Sequence, residues 1–161
     1  MCSAGASYGG YAALAGAAFT PDLYACAVSV NGVSDLPTMI GDLLRRGDES
    51  SDAVAYWKDH IGPPTNPQVA ARSPARAAAS VRAPVLLLHG ANDTVVPPSQ
   101  SQLMAKSLAA AGKPHRYVEL PGEDHWLSSG AMRTRALEEI ASFLAQHLGP
   151  ADERTGEPQS S

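Results

Sequence analysis

The chain has 161 residues, 44% of them hydrophobic and 17% charged, with a formal net charge of −4, which suits one domain with a core of its own. No run approaches the roughly 20 apolar residues of a membrane-spanning helix, and the 12 Lys and Arg form no stripe that could neutralise a phosphate backbone. Membrane insertion and nucleic-acid binding are thereby set aside.

The first element is a short run of small residues, 1–4, leading into Gly5-Ala6-Ser7-Tyr8-Gly9-Gly10. The Ala-rich stretch from Tyr11 to Phe19 predicts a closely packed helix that stops at Thr20-Pro21. Tyr24 to Asn31 is mostly apolar with β-branched members and predicts a buried strand. Residues 33–82 read as helical excursions joined by loops. Asp35 to Arg46 has Leu36, Met39, Ile40, Leu43 and Leu44 at helical spacing, Ala53 to Ile61 offers a second helix, and Ser73-Pro74 begins a third.

Beyond this the pattern is plainer. Pro84-Val85-Leu86-Leu87-Leu88-His89-Gly90 is an unbroken apolar run, as expected of a strand covered on both faces. Ser99 to Ala111 predicts a helix with Leu103, Met104, Ser107 and Leu108 inward, closed by Gly112. His115 to Leu120 predicts a less apolar strand nearer the sheet edge. Ala131 to Leu148 predicts a long helix with Leu137, Ile140, Leu144 and Leu148 on its buried face. Residues 149–161 lack an apolar anchor and read as a disordered tail. Alternating strands and helices of this kind imply a parallel three-layer α/β fold over residues 1–148.

The two cysteines, Cys2 and Cys26, cannot build a disulfide framework or a closed zinc site, and both lie in apolar stretches, so they read as buried free thiols. No metal-ligand spacing occurs and no cofactor fingerprint is present. The N-terminus lacks the features of a signal peptide, which favours a soluble, cytoplasmic protein.

Gly5-Ala6-Ser7-Tyr8-Gly9 fits G-x-S-x-G between a strand and a helix. Glycines are expected on both sides of the serine because the turn leaves no room for a β-carbon. A chance match arises in about one chain in twenty of this length, so the pattern depends on its context. A serine hydroxyl needs a base, and the base needs an acid to hold its tautomer. Asp93 lies just past the strongest strand and His125 lies in the loop after the last one. The order Ser7, Asp93, His125 is that of the α/β-hydrolases. His89 is a rival base, but it sits only four residues from Asp93 and reads as packing beneath that loop. Glu123 and Asp124 are rival acids, but as close neighbours of His125 they read as solvated loop charges.

At these residues the sequence resembles the prolyl oligopeptidase family of serine peptidases, with its acylaminoacyl-peptidase and dipeptidyl-peptidase branches. The resemblance rests on Gly5-Ala6-Ser7-Tyr8-Gly9-Gly10-Tyr11-Ala12, where the extended S-Y-G-G-Y separates this family from general esterases. Ser73-Pro74, the strand through His89-Gly90, Asp93 with Val95-Val96-Pro97, Gln100-Ser101, Gly112-Lys113 and Gly122-Glu123-Asp124-His125 support it. It covers roughly residues 1–148 and implies nucleophile Ser7, acid Asp93 and base His125. It also implies an oxyanion donor in the backbone N–H of Tyr8, and it likens the Trp57 region to a helical segment of the family. Leu36, Met39, Ile40 and Val96 are candidates for an apolar pocket beside Ser7, with core packing as the other reading of each.

The resemblance also implies that this is the C-terminal half of an α/β-hydrolase domain. The chain would begin inside the nucleophile strand, without the upstream strands and the family's tyrosine oxyanion donor. The expected activity is hydrolysis of short peptides through an acyl-enzyme. A carboxylesterase using the same triad is the near alternative. A non-catalytic module that pairs its open sheet edge with itself, or with the upstream part of the same protein, is the distant one. The expected partner is a peptide substrate.

Overall fold

The structure, a computed structural model, describes residues 1–46, 55 and 59–149. The expected tail from residue 150 onward, Trp57 and most of the helix expected over 53–61 lie outside the described residues. Four strands, β1 (Cys2–Ala6), β2 (Cys26–Val30), β3 (Val85–Gly90) and β4 (His115–Leu120), pair in parallel in that order. The helices between and after them are α1 (Tyr8–Phe19), α2 (Leu36–Arg45), the short α3 (Pro67–Ala71), a 3-10 helix (Pro74–Ser80), α4 (Ser99–Ala110) and α5 (Gly130–Leu148). This is a three-layer α/β arrangement, as the alternation of elements implies.

The layers follow from the period-two alternation of β3. Val85 and Leu87 face one side, in a cluster with Leu14 and Ala17 of α1, Ala75 and Ala78 of the 3-10 helix, and Met104 and Leu108 of α4. Leu86 and Leu88 face the other, against Ala136 and Phe143 of α5. A strand buried on both faces has no polar alternation, which is why its sequence is a solid apolar run. β4 forms one edge of the sheet. The outer edge of β1 has no strand beside it among the described residues.

Two expectations are corrected here. The stripe on α5 is Ala136, Ile140, Phe143 and Leu144, whereas Leu137 and Leu148 are exposed. Ile140 and Leu144 of the expected face are thus kept, and Ala136 and Phe143, the latter with the larger apolar surface, take the places expected of Leu137 and Leu148. Nor are the cysteines free thiols, because Cys2 and Cys26 form a disulfide. The parallel register sets them directly opposite each other on β1 and β2, with a Cα–Cα distance of 4.6 Å, within the reach of a disulfide. That proximity depends on strand register, which cysteine spacing does not reveal.

Under the carboxyl ends of the strands, Val33, Leu36, Met39, Ile40, Val69 and Val96 make a third cluster. Asp35 anchors it by capping α2, its carboxylate accepting from the Thr38 N–H at 2.9 Å. Arg76 pairs with the same carboxylate. Burial pushes the Asp35 carboxyl up, but the bonds from Arg76 and Thr38 outweigh burial and hold it below the ordinary value.

Candidate active site

Ser7 occupies the single residue between β1 and α1, with φ 55° and ψ −120°. A non-glycine residue in that region is strained, and here the strain lifts the side chain above the sheet. Its backbone is tied down on both sides. The Ser7 N–H donates to the Val30 carbonyl at 2.9 Å, and the Ser7 carbonyl accepts from the Tyr11 N–H at 3.1 Å. The glycines have unequal roles. A β-carbon on Gly5 would lie 2.3 Å from the Gly9 carbonyl oxygen, whereas one on Gly9 would meet nothing within 4 Å. The expectation of crowding on both sides therefore holds only for Gly5.

The structure brings the three sequence-predicted residues together. His125 Nε2 lies 3.0 Å from Ser7 Oγ, and His125 Nδ1 lies 2.7 Å from Asp93 Oδ2. The other oxygen of Asp93 accepts from the Val95 and Val96 N–H groups at 2.9 and 2.8 Å. Burial raises the tendency of Asp93 to hold a proton, but the hydrogen bonds from His89, His125 and the Val96 amide outweigh burial. They keep the carboxyl below its ordinary value. An ionised carboxylate on Nδ1 selects the His125 tautomer whose bare Nε2 faces the serine. Tyr8 is the first residue of α1, so its N–H has no acceptor within the helix and points with the positive end of the helix dipole.

The rival residues have other partners. Glu123 is buried, not solvated: it is 3% exposed and accepts from the N–H of Ser129, the N-cap of α5. Asp124 turns back on its own loop, accepting from the Trp126 N–H and the Ser128 hydroxyl. The Ser128 bond, outweighing a small effect of burial, lowers its carboxyl below the ordinary value. His89 lies beneath Asp93, as expected.

Asn31 escaped the sequence reading. It sits at φ 49°, 2% exposed, immediately after β2. Its side-chain oxygen accepts from the Gly90 N–H at 2.9 Å and its amide donates to the carbonyl of His125 at 2.9 Å. It thus pins the base loop to the end of β3. Asn31→Asp should preserve the backbone, since Asp also tolerates positive φ, but it sets an acceptor against the His125 carbonyl. We expect a loss of about 1–3 kcal/mol in urea unfolding. An unchanged midpoint would show that the amide is not needed there.

A cavity of about 250 Å³ beside the serine is lined by Ala6, Ser7, Val30, Asn31, His125, Trp126 and Leu127. Trp126 stands 75% exposed with its ring edge-on to His125, centroids 5.2 Å apart. Leu36, Met39, Ile40 and Val96 do not line this cavity; all four are at most 3% exposed in the third core cluster. The core-packing alternative describes them here. A larger hollow of about 500 Å³ at residues 19–23 lies at the far end of α1, away from the serine.

Known proteins share this arrangement of elements. The prolyl oligopeptidase family pattern matches residues 1–151. Dipeptidyl aminopeptidase BIII of Pseudoxanthomonas mexicana is 33% identical over 164 residues, covering 94% of this chain and 22% of that protein. A puromycin-hydrolyzing peptidase from Mycobacterium tuberculosis superposes with a TM-score of 0.80 at 36% identity, over 91% of this chain and 22% of the other. The uncomplexed acylaminoacyl peptidase of Pyrococcus horikoshii gives 0.77 at 26% identity, over 93% and 24%. The chain therefore spans about a fifth to a quarter of the length of these relatives.

Proposed function

The chain belongs to the prolyl oligopeptidase family, and on that premise we propose that it is a serine peptidase hydrolysing short peptides through Ser7, His125 and Asp93. One observation carries the reading: the unbroken hydrogen-bonded relay from Ser7 Oγ through His125 to the ionised Asp93. Ser7 Oγ attacks the scissile carbonyl carbon while His125 Nε2 takes its proton. The developing oxyanion is met by the Tyr8 N–H. His125 then gives its proton to the departing amine, and water, deprotonated by the same nitrogen, releases the acyl group and restores Ser7. The apolar walls formed by Val30, Trp126 and Leu127 favour substrates with an apolar side chain near the cleaved bond.

The test uses the full chain with a fluorophosphonate probe and intact-mass detection, followed by amide and ester substrates sharing one acyl group. We expect a single adduct, absent in Ser7→Ala, and turnover of the amide. Turnover of the ester alone would replace peptidase with carboxylesterase. A folded chain that takes no adduct would instead support the non-catalytic reading, which is favoured by the edge of β1 that carries no strand among the described residues. Concentration-dependent association would then be its signature.

A further inference from the structure

We infer that His89 is a positioning residue for this site: its Nε2–H braces the Asp93 carboxylate and the carbonyl of Val96, the residue whose N–H holds that carboxylate, an inference that rests on the triad reading above.

His89 is fully buried near the end of β3 and is held on both sides of its ring. Nδ1 lies 2.7 Å from the Ser101 hydroxyl of α4. Nε2 lies 2.9 Å from the Val96 carbonyl and 3.4 Å from Asp93 Oδ2. These partners fix the tautomer. A carbonyl and an ionised carboxylate can only accept, so Nε2 carries the proton; Nδ1 is then bare and accepts from Ser101. The N–H makes its full bond to Val96 and a longer, weaker approach to Asp93.

The arrangement acts on the acid twice. His89 approaches Oδ2 directly, on the oxygen that also accepts from His125. It also fixes the carbonyl of Val96, whose own N–H is a donor to Oδ1. The titratable groups facing Asp93 are thus His89 and His125, and in the neutral state both present an N–H to it. Ser101, at the first turn of α4, sets the direction of the His89 ring. One buried contact therefore links the placement of α4 to the orientation of the catalytic acid.

Two substitutions separate donation from packing. The amide nitrogen of His89→Gln reaches the position of Nε2 and can donate to Val96 and Asp93. That of His89→Asn reaches only the position of Nδ1. Both lose the ring. In the full chain, ¹⁵N NMR of the wild type should show His89 protonated on Nε2 and bare on Nδ1; the opposite tautomer overturns the inference, whether or not either variant folds. In a ¹³C titration, Asp93 of His89→Gln should stay close to the wild type, while in His89→Asn it should move up by about half a unit or more. Labelling of Ser7 by the fluorophosphonate should stay within about threefold of wild type in His89→Gln and fall at least about tenfold in His89→Asn. Equal behaviour of the two variants would mean that His89 only fills space. A wild type that does not label defeats the triad reading, and the tautomer and titration still decide the role of His89.

Discussion

Ser7→Ala should remove fluorophosphonate labelling altogether and leave no hydrolysis above background. His125→Ala should slow any peptide turnover by a factor on the order of 10⁴–10⁶. The two effects should not add, because base and nucleophile act as one unit through the 3.0 Å contact between them. Neither change should disturb folding much, since neither Ser7 nor His125 belongs to a core cluster. The measurement is a single-turnover rate on protein whose circular dichroism matches the wild type. Full activity in a folded Ser7→Ala chain would refute the assignment of the nucleophile.

The second large effect is expected at Gly5. Its missing β-carbon is what allows β1 and the first turn of α1 to approach, with only 2.3 Å between an added carbon and the Gly9 carbonyl. The obstacle is backbone, so it cannot rotate aside. Gly5→Ala should cost about 1–3 kcal/mol or more in urea unfolding. Ser7 reactivity should fall in parallel, because the same turn aims the hydroxyl. Gly9→Ala is the control. It meets open space within α1, where alanine is favoured over glycine by about 1 kcal/mol, so its midpoint should hold or rise. Equal losses in the two variants would show that the close approach of β1 to α1 at Gly5 is not what dictates the glycines of this turn.

Much of the site could be read from the residues because its parts are local. The elbow is one short pattern between a strand and a helix, and Asp93 and His125 follow recognisable strand ends. The solid run Val85–Leu88 announces a strand covered on both faces, and the structure gives it both layers. What could not be read depends on register and distance. Asn31 acquires its role only when β2 and β3 lie side by side and the His125 loop, 94 positions away, folds over them. The Cys2–Cys26 link needs the same strand alignment. On α5 the spacing identifies Ile140 and Leu144 but not Ala136 and Phe143, because aliphatic spacing alone does not weigh an aromatic or an alanine against Leu137 and Leu148. Glu123 looked like a solvated charge because its acceptor role depends on α5 starting just where Ser129 presents its N–H.

Each of β2, β3 and β4 is bonded to the strand before it in sequence, and each of the four strands contributes one part of the site just beyond its carboxyl end. Ser7 follows β1, Asn31 follows β2, Asp93 follows β3 and His125 follows β4. The sheet can grow by successive strand–helix additions, with short closures at β1–β2 and β3–β4 and a longer one over residues 31–84 between β2 and β3. Chemical reactivity, by contrast, requires all four. Ser7 cannot find its base until the last strand has joined, so a probe of the serine acts as a logical AND over the whole assembly. During refolding, helical signal should return ahead of serine reactivity, and the lag between them would time the arrival of β4.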